Sequence, residues 1–158
     1  MYQLPIRPFD KSTDFERVKN FFAQMGGETR GFFNQGGGNE RFALGFFDES
    51  PPEKYGNSAL FMALDDDKMA GYVFLRDLDK GVLWLGIAVA EDWKGRHLGR
   101  DLMRHAETYA RERGKGGIML TTSQANIRGQ SLYRRCGYEY IGVHMGGELL
   151  FLRNFGDI

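Results

Sequence analysis

The chain has 158 residues, of which 42% are hydrophobic and 27% charged, and its formal net charge is zero. These totals predict one folded domain over residues 1–158, exclude a disordered chain, and give no reason to expect a nucleic-acid or membrane partner. With a single cysteine, Cys136, no recognisable signal peptide and no apolar run of membrane-spanning length, we expect a cytoplasmic protein without disulfides.

The first third of the chain predicts a strand, a helix and a region rich in phenylalanine. We expect a strand at Tyr2–Ile6, stopped by the proline that follows. Ser12 or Thr13 can cap a helix in which the apolar side chains of Phe15–Phe22 share one face. Residues 28–47 are broken by a triple glycine, and we interpret them as two short helices around a loop.

The rest of the chain alternates between strand-like and helical patterns. Strands are predicted at Ser58–Leu64, Met69–Leu75, Val82–Val89, Ile118–Thr122, Tyr138–Val143 and Glu148–Arg153. Apolar residues at helical spacing predict helices at His97–Arg113 and Ile127–Cys136. The early hairpin implies antiparallel pairing, and the later strand–helix–strand crossovers imply parallel pairing. The fold class is therefore α/β, with a mixed sheet of about six to seven strands and helices on both faces.

The segment after the apolar run Val82–Val89 has the composition of a phosphate-binding loop. Lys94–Arg100 contains two glycines and three basic side chains, and it leads directly into the helix predicted at His97–Arg113. The first turn of a helix leaves N–H groups without partners, and the helix dipole favours an anion there. Residues 94–158 carry 11 basic and 6 acidic side chains, against 10 and 15 in residues 1–93, which favours a polyanionic ligand. The same residues would also suit an ordinary solvated helix start.

Two sequence motifs of this region resemble those of one family. Lys94–Gly99 resembles the Arg/Gln-x-x-Gly-x-Gly/Ala signature of the GNAT superfamily of N-acetyltransferases. Asn126–Tyr138 is similar to the family's Asn-x-x-Ala-x-x-Leu-Tyr-x-x-x-Gly-Phe, and the resemblance covers about Val82–Val143. His97 stands where the family usually has the first glycine, and Gln130 where a small residue is common. The fold that this resemblance implies is a mostly antiparallel mixed sheet.

The resemblance implies an acyl-CoA-dependent N-acyltransferase with acetyl-CoA as co-substrate. The acetyl group would pass by direct attack in a ternary complex to a primary amine of a small molecule or a peptide. The residues that the resemblance assigns to acetyl-CoA binding are Ile87, Ala88, Val89, Lys94, Gly95, Arg96, His97, Leu98, Gly99, Arg100 and Asn126. It assigns catalysis to Tyr133, whose phenol would supply a proton to the departing thiolate. No metal is expected, because the three histidines lack metal-ligand spacing.

The group that deprotonates the amine is left open by the sequence. Some family members carry a glutamate in the central strand, where this chain has Leu83. Glu28, Glu40, Glu91 and a chain of water molecules remain as alternatives. The missing glutamate also supports a second hypothesis, a non-catalytic acyl-CoA-binding or sensing module. The protein is expected to be a monomer or a homodimer, and the last predicted strand, Glu148–Arg153, can pair with a partner.

Overall fold

The structure is a computed structural model that describes residues 3–10, 12–25 and 57–156. The interpretation of residues 28–47 as two short helices lies outside the described residues. The described strands are β1 (Ile6–Pro8), β2 (Ser58–Asp65), β3 (Lys68–Arg76), β4 (Val82–Val89), β5 (Gly117–Thr122), β6 (Glu139–Val143) and β7 (Leu149–Asn154). The described helices are α1 (Phe15–Ala23), α2 (Leu98–Glu112) and α3 (Ile127–Arg135), and a 3₁₀ turn spans Glu91–Trp93.

The seven described strands form one sheet in the order β1-β2-β3-β4-β5-β7-β6. Neighbouring strands are antiparallel except β4 and β5, which are parallel. The predicted mixed, mostly antiparallel sheet is confirmed. The second crossover differs from the expectation, because β7 inserts between β5 and β6 and separates the strands on either side of α3. The prediction that the last strand can pair with a partner is wrong, since β7 is internal and β6 lies at the edge.

The first strand lies later in the chain than predicted. β1 covers Ile6–Pro8 and pairs with β2, so the strand does end at Pro8, and this proline is its last paired residue. Proline removes a backbone donor, which a central strand cannot tolerate but an edge strand can. Since β1 is the outermost strand of the described sheet, its proline is compatible with the pairing to β2.

The helices cover both faces of the sheet, as predicted. Along β4, Leu83 and Leu85 belong to the core that also contains the apolar face of α2, whereas Ala88 belongs to the core that contains Val18 and Phe22 of α1. This alternation follows from the two-residue repeat of a strand. Within the described residues, no helix is both long and apolar enough to cross a membrane.

A buried carboxylate ties α1 to β1. The N-cap residue is Asp14, the residue after Thr13, and its side chain makes no capping bond to the helix. Its fully buried carboxylate accepts hydrogen bonds from Arg7 at 2.6 and 2.7 Å and from Arg17 at 3.0 Å. The Arg7 hydrogen bond is the main reason that the pKa of Asp14 is lowered, and burial opposes it. The carboxylate is therefore ionised and shared between the strand and the helix.

We expect Asp14→Asn to lower the free energy of unfolding at pH 7 by about 2 kcal/mol, because charge-assisted hydrogen bonds to a buried group are lost. A carboxylate with a lowered folded pKa stabilises the protein above its unfolded pKa, about 3.9, and loses that contribution as the pH falls through the folded value. The difference between the two proteins should therefore shrink below about pH 4. Urea unfolding at several pH values measures it, and a pH-independent difference would contradict the ionised state.

Candidate active site

The two parallel strands at the centre of the sheet separate after a short pairing. β4 and β5 are in register only over Val82–Trp84 and Gly117–Met119. Beyond this point β4 stays paired with β3 as far as Val89, and β5 stays paired with β7 as far as Thr122. A cavity of about 840 Å³ opens at the split, a volume in the usual range for small-molecule and cofactor sites.

The backbone of β4 presents hydrogen-bonding groups to this cavity. The Ala90 N–H donates to the Ala70 carbonyl of β3 at 2.7 Å. Because successive N–H groups of a strand point to opposite sides, those of Ile87 and Val89 point away from β3, towards the split. The Ala88 N–H points towards β3. The split edge of β4 therefore offers donors to an extended, amide-containing ligand.

Most of the residues that the sequence analysis singled out meet at the cavity. Those that line it are Ile87, Ala88, Val89, Lys94, Gly95, His97, Leu98, Gly99, Arg100, Asn126 and Tyr133. Arg96 does not line it. Its guanidinium lies 3.8 Å from the centroid of the Trp93 ring and donates to the Asp92 carbonyl at 3.2 Å. The Lys94 ammonium is 3.0 Å from the Glu91 carboxylate, so this cation of the loop forms an ion pair at the cavity.

The start of α2 leaves backbone N–H groups without helical acceptors at the wall of the cavity. The first helical hydrogen bond runs from the Asp101 N–H to the His97 carbonyl at 3.1 Å. The N–H groups of Leu98, Gly99 and Arg100 therefore have no acceptor within the helix. They lie at the positive end of the α2 dipole and at the wall of the cavity.

His97 adopts the backbone conformation that explains why a glycine is usual at this position. Its φ is +68°, in the left-handed region, which costs an L-residue about 1 kcal/mol or more and costs glycine nothing comparable. Its side chain is exposed and makes no capping bond. Gly95 also has a positive φ, +77°, and a Cβ there would meet open space. The loop therefore depends on two left-handed residues, of which one is not glycine.

Gly99 lies at the cavity wall and in close contact with α3. A Cβ on Gly99 would lie 3.0 Å from a methyl of Leu132, so the glycine lets the first turn of α2 approach α3 closely. A Cβ on Gly129 would lie 2.5 Å from the Asn126 side chain. The Asn126 carboxamide caps α3 by accepting from the Gly129 N–H at 3.1 Å. The glycine at 129 thus leaves space for the residue that starts the helix.

Tyr133 lies on the cavity wall near Thr122. The Asn126 amide donates to the Thr122 hydroxyl at 3.2 Å, and Thr122 also interacts with the Tyr133 phenol. Burial raises the pKa of Tyr133 to about 12, and the Thr122 hydrogen bond opposes this shift. The phenol therefore keeps its proton at neutral pH and acts there as a donor.

Two residues of this region were missed by the sequence analysis. Thr122 ends β5 on the face that carries Leu120 and is buried, and the alternation of β5 was a signal that could have found it. Gln130, noted only as a departure, is buried and donates to the carbonyls of Ser123 and Gln124 at 3.1 and 3.0 Å. It holds the turn between β5 and α3, which explains the larger side chain.

The sequence left three glutamates as candidates for the base that deprotonates the amine. Glu28 and Glu40 lie outside the described residues, and Leu83 is fully buried in the core. Glu91 lines the cavity beside its lysine partner. Within the described ranges, no group of three or more histidine, cysteine, aspartate or glutamate residues is placed to hold a metal ion.

Comparison with known proteins shows which family this chain resembles in sequence and in fold. The profile of the acetyltransferase (GNAT) family matches residues 16–138. The GNAT domain of S. lividans PAT superposes with a TM-score of 0.75 at 17% identity, over 95% of this chain and 89% of that one. The PaiA N-acetyltransferase of Thermoplasma acidophilum, solved in complex with coenzyme A, gives 0.72 at 15% identity, over 98% and 100%. A streptothricin acetyltransferase of Streptomyces lavendulae is 42% identical over 57 residues, which are 36% of this chain and 30% of that protein.

The chain therefore belongs to the acetyltransferase (GNAT) family. The resemblance noted in the sequence is therefore confirmed at the level of the family. The solved neighbours confirm the predicted fold.

His97 offers a test of the strained loop. We expect His97→Gly to have a free energy of unfolding about 1 kcal/mol above that of His97→Ala, because both variants remove the imidazole and only glycine relieves the left-handed strain. Thermal or urea unfolding of the two variants measures the difference. A ranking with alanine above glycine would show that residue 97 does not hold the left-handed conformation in solution.

Proposed function

We propose that this protein transfers the acetyl group of acetyl-CoA to a primary amine by direct attack within a ternary complex. The observation that carries the proposal is the split between β4 and β5. This split connects the positive end of α2 to the phenol of Tyr133 through one cavity. An elongated donor with a diphosphate at one end and a thioester at the other fits this arrangement.

The donor would be held by backbone groups first and side chains second. We place its diphosphate against the free N–H groups of the loop and of the first turn of α2, with Lys94 and Arg100 adding charge-assisted hydrogen bonds. Arg96 contributes its backbone, since its side chain stacks on Trp93. The pantetheine amides would pair with the N–H groups of Ile87 and Val89, as an added strand does.

The chemistry then needs few groups. The neutral amine attacks the thioester carbonyl carbon, and the Val89 N–H stabilises the oxyanion. The carbon–sulfur bond then breaks, and the nitrogen releases one proton to solvent as the amide forms. Full proton transfer from a phenol of pKa about 12 to a thiolate of pKa about 8.5 is uphill. Tyr133 therefore stabilises the departing sulfur mainly as a hydrogen-bond donor, and the thiolate takes its proton from solvent afterwards.

The acceptor is an amine, of a small molecule or a peptide, and streptothricin is a sensible first probe because of the similar acetyltransferase. This proposal treats the protein as cytoplasmic and as a monomer or homodimer, without a nucleic-acid or membrane partner. The single cysteine and the zero net charge support it.

Tyr133→Phe tests the role of the phenol. We expect kcat to fall about 100-fold, in the range usual for the loss of a positioned proton or hydrogen-bond donor, while the affinity for acetyl-CoA measured by calorimetry changes less than about twofold. Because the pKa of Tyr133 is about 12, the wild-type rate should show no loss from tyrosine ionisation up to about pH 10. A variant with the wild-type kcat would remove Tyr133 from the reaction.

Arg100 and Arg96 form a matched pair for the diphosphate site. Both arginines are exposed, but only Arg100 lines the cavity. We expect Arg100→Glu to weaken coenzyme A binding at least about tenfold, or 1.4 kcal/mol, and Arg96→Glu to weaken it less than about threefold. Calorimetry at low and high salt measures both. Equal losses in the two variants would mean that general surface charge, and not this site, attracts the ligand.

A further inference from the structure

The cavity extends to the face of the sheet opposite α2. Leu83 and Leu85 of β4 belong to the core under α2, so Trp84 between them points to the other face. The same alternation places Thr121 of β5 opposite Leu120. Trp84 and Thr121 both line the cavity. The split therefore opens the site on the face away from Tyr133, where a second substrate has access to the thioester.

A buried acid lies next to the side of the cavity that Trp84 and Thr121 line. Glu148 immediately precedes β7 and is only 5% exposed. It lies two residues before Leu150, which is the β7 partner of Thr121. Burial raises the pKa of its carboxylate, and the interaction with the Thr121 hydroxyl opposes that rise. The His144 N–H donates to the Glu148 carbonyl at 2.8 Å, which closes the turn between β6 and β7. The His144 ring lies 5.7 Å from the Trp84 ring, so the turn is packed against the cavity wall.

The charge environment of Glu148 is unusual for a buried acid. The ion pairs found among the described residues do not include it. His144 is the charged or titratable group that acts on it there, and β5 presents the uncharged Thr121. Arg76 of β3 lines the cavity from the position paired with Trp84. A buried carboxylate held mainly by a hydroxyl is costly unless a cation or a proton arrives during function.

We propose that Glu148 is the proton acceptor of the transfer reaction and receives the proton of a cationic alkylamine through the Thr121 hydroxyl. This inference rests on the proposed function and adds the group that the sequence left open. Thr121 is the residue that meets the substrate, and Glu148 acts through it. The indole of Trp84 beside this hydroxyl offers a face to the incoming ammonium.

The proton transfer balances without a further reactant. One N–H bond of the ammonium breaks and its proton goes to the Thr121 oxygen, while the proton of that hydroxyl goes to the Glu148 carboxylate. The positive charge of the amine and the negative charge of the carboxylate disappear together, which leaves a neutral nucleophile beside the thioester. A raised pKa of Glu148 narrows the gap to an alkylammonium, whose pKa is near 10.

The test compares two amines in the full-length protein. An alkylamine is protonated at neutral pH, whereas an arylamine is already neutral and needs no base before attack. We expect Glu148→Gln to lower kcat/KM about 100-fold or more for the alkylamine at pH 7, and less than about fivefold for the arylamine. Raising the pH should recover the alkylamine rate. Glu139→Gln, which changes an exposed acid of β6, is the matched control and should keep the wild-type rate with both amines.

Thr121 provides an independent arm. Thr121→Val should impair the alkylamine reaction as Glu148→Gln does, and Thr121→Ser should recover most of the lost rate, because it restores the hydroxyl. The affinity for acetyl-CoA should be within about twofold of wild type in all three variants. Equal loss with both amines in an active background would overturn the role of Glu148. A wild-type protein that acetylates no amine at all would instead overturn the proposed function, and this inference with it.

Discussion

The separation of β4 from β5 after three paired residues is the constraint on which the site depends. Each strand stays anchored on its other side, β4 to β3 and β5 to β7, so the split is built into the pairing and does not require a ligand to open it. It leaves the N–H groups of Ile87 and Val89 directed at a cavity, in a sheet where an unpaired buried donor is costly. A ligand that supplies acceptors along this edge removes that cost, which is why an extended amide chain suits the site.

Positive charge is concentrated at the start of α2, although the chain as a whole has no net charge. The start of α2 combines unpaired N–H groups, the helix dipole and the basic residues of the loop. His97, the N-cap residue, holds the left-handed conformation at the point where this helix begins. A strain of about 1 kcal/mol is small beside the several charge-assisted hydrogen bonds that a diphosphate would make. Binding geometry thus outweighs local backbone preference at this position.

The sequence was informative where local pattern decides structure and silent where distant contacts decide it. The helical spacing from Leu98 onward and the apolar run of β4 predicted their elements to within a residue or two, because these patterns follow from helix and strand geometry. The insertion of β7 between β5 and β6 has no local signal, since it depends on which strand edges are left open. No local pattern marks Asp14 and Glu148 as buried, and only the packing of distant residues around them makes them so.

The proposed mechanism needs a proton donor and a proton acceptor, and it places them on opposite faces of the split sheet. Tyr133 lies with α2 and α3 on one side, in a core that holds its pKa high and keeps it a donor. Thr121 and Glu148 lie on the other side, and the ion pairs found among the described residues do not include this buried carboxylate. If the proton donor and the proton acceptor lay side by side, a proton could pass directly between them, and neither would keep the protonation state that its role requires. In the proposed mechanism they lie on opposite faces and would act only through the substrates that meet in the split, an arrangement that suits direct attack in a ternary complex.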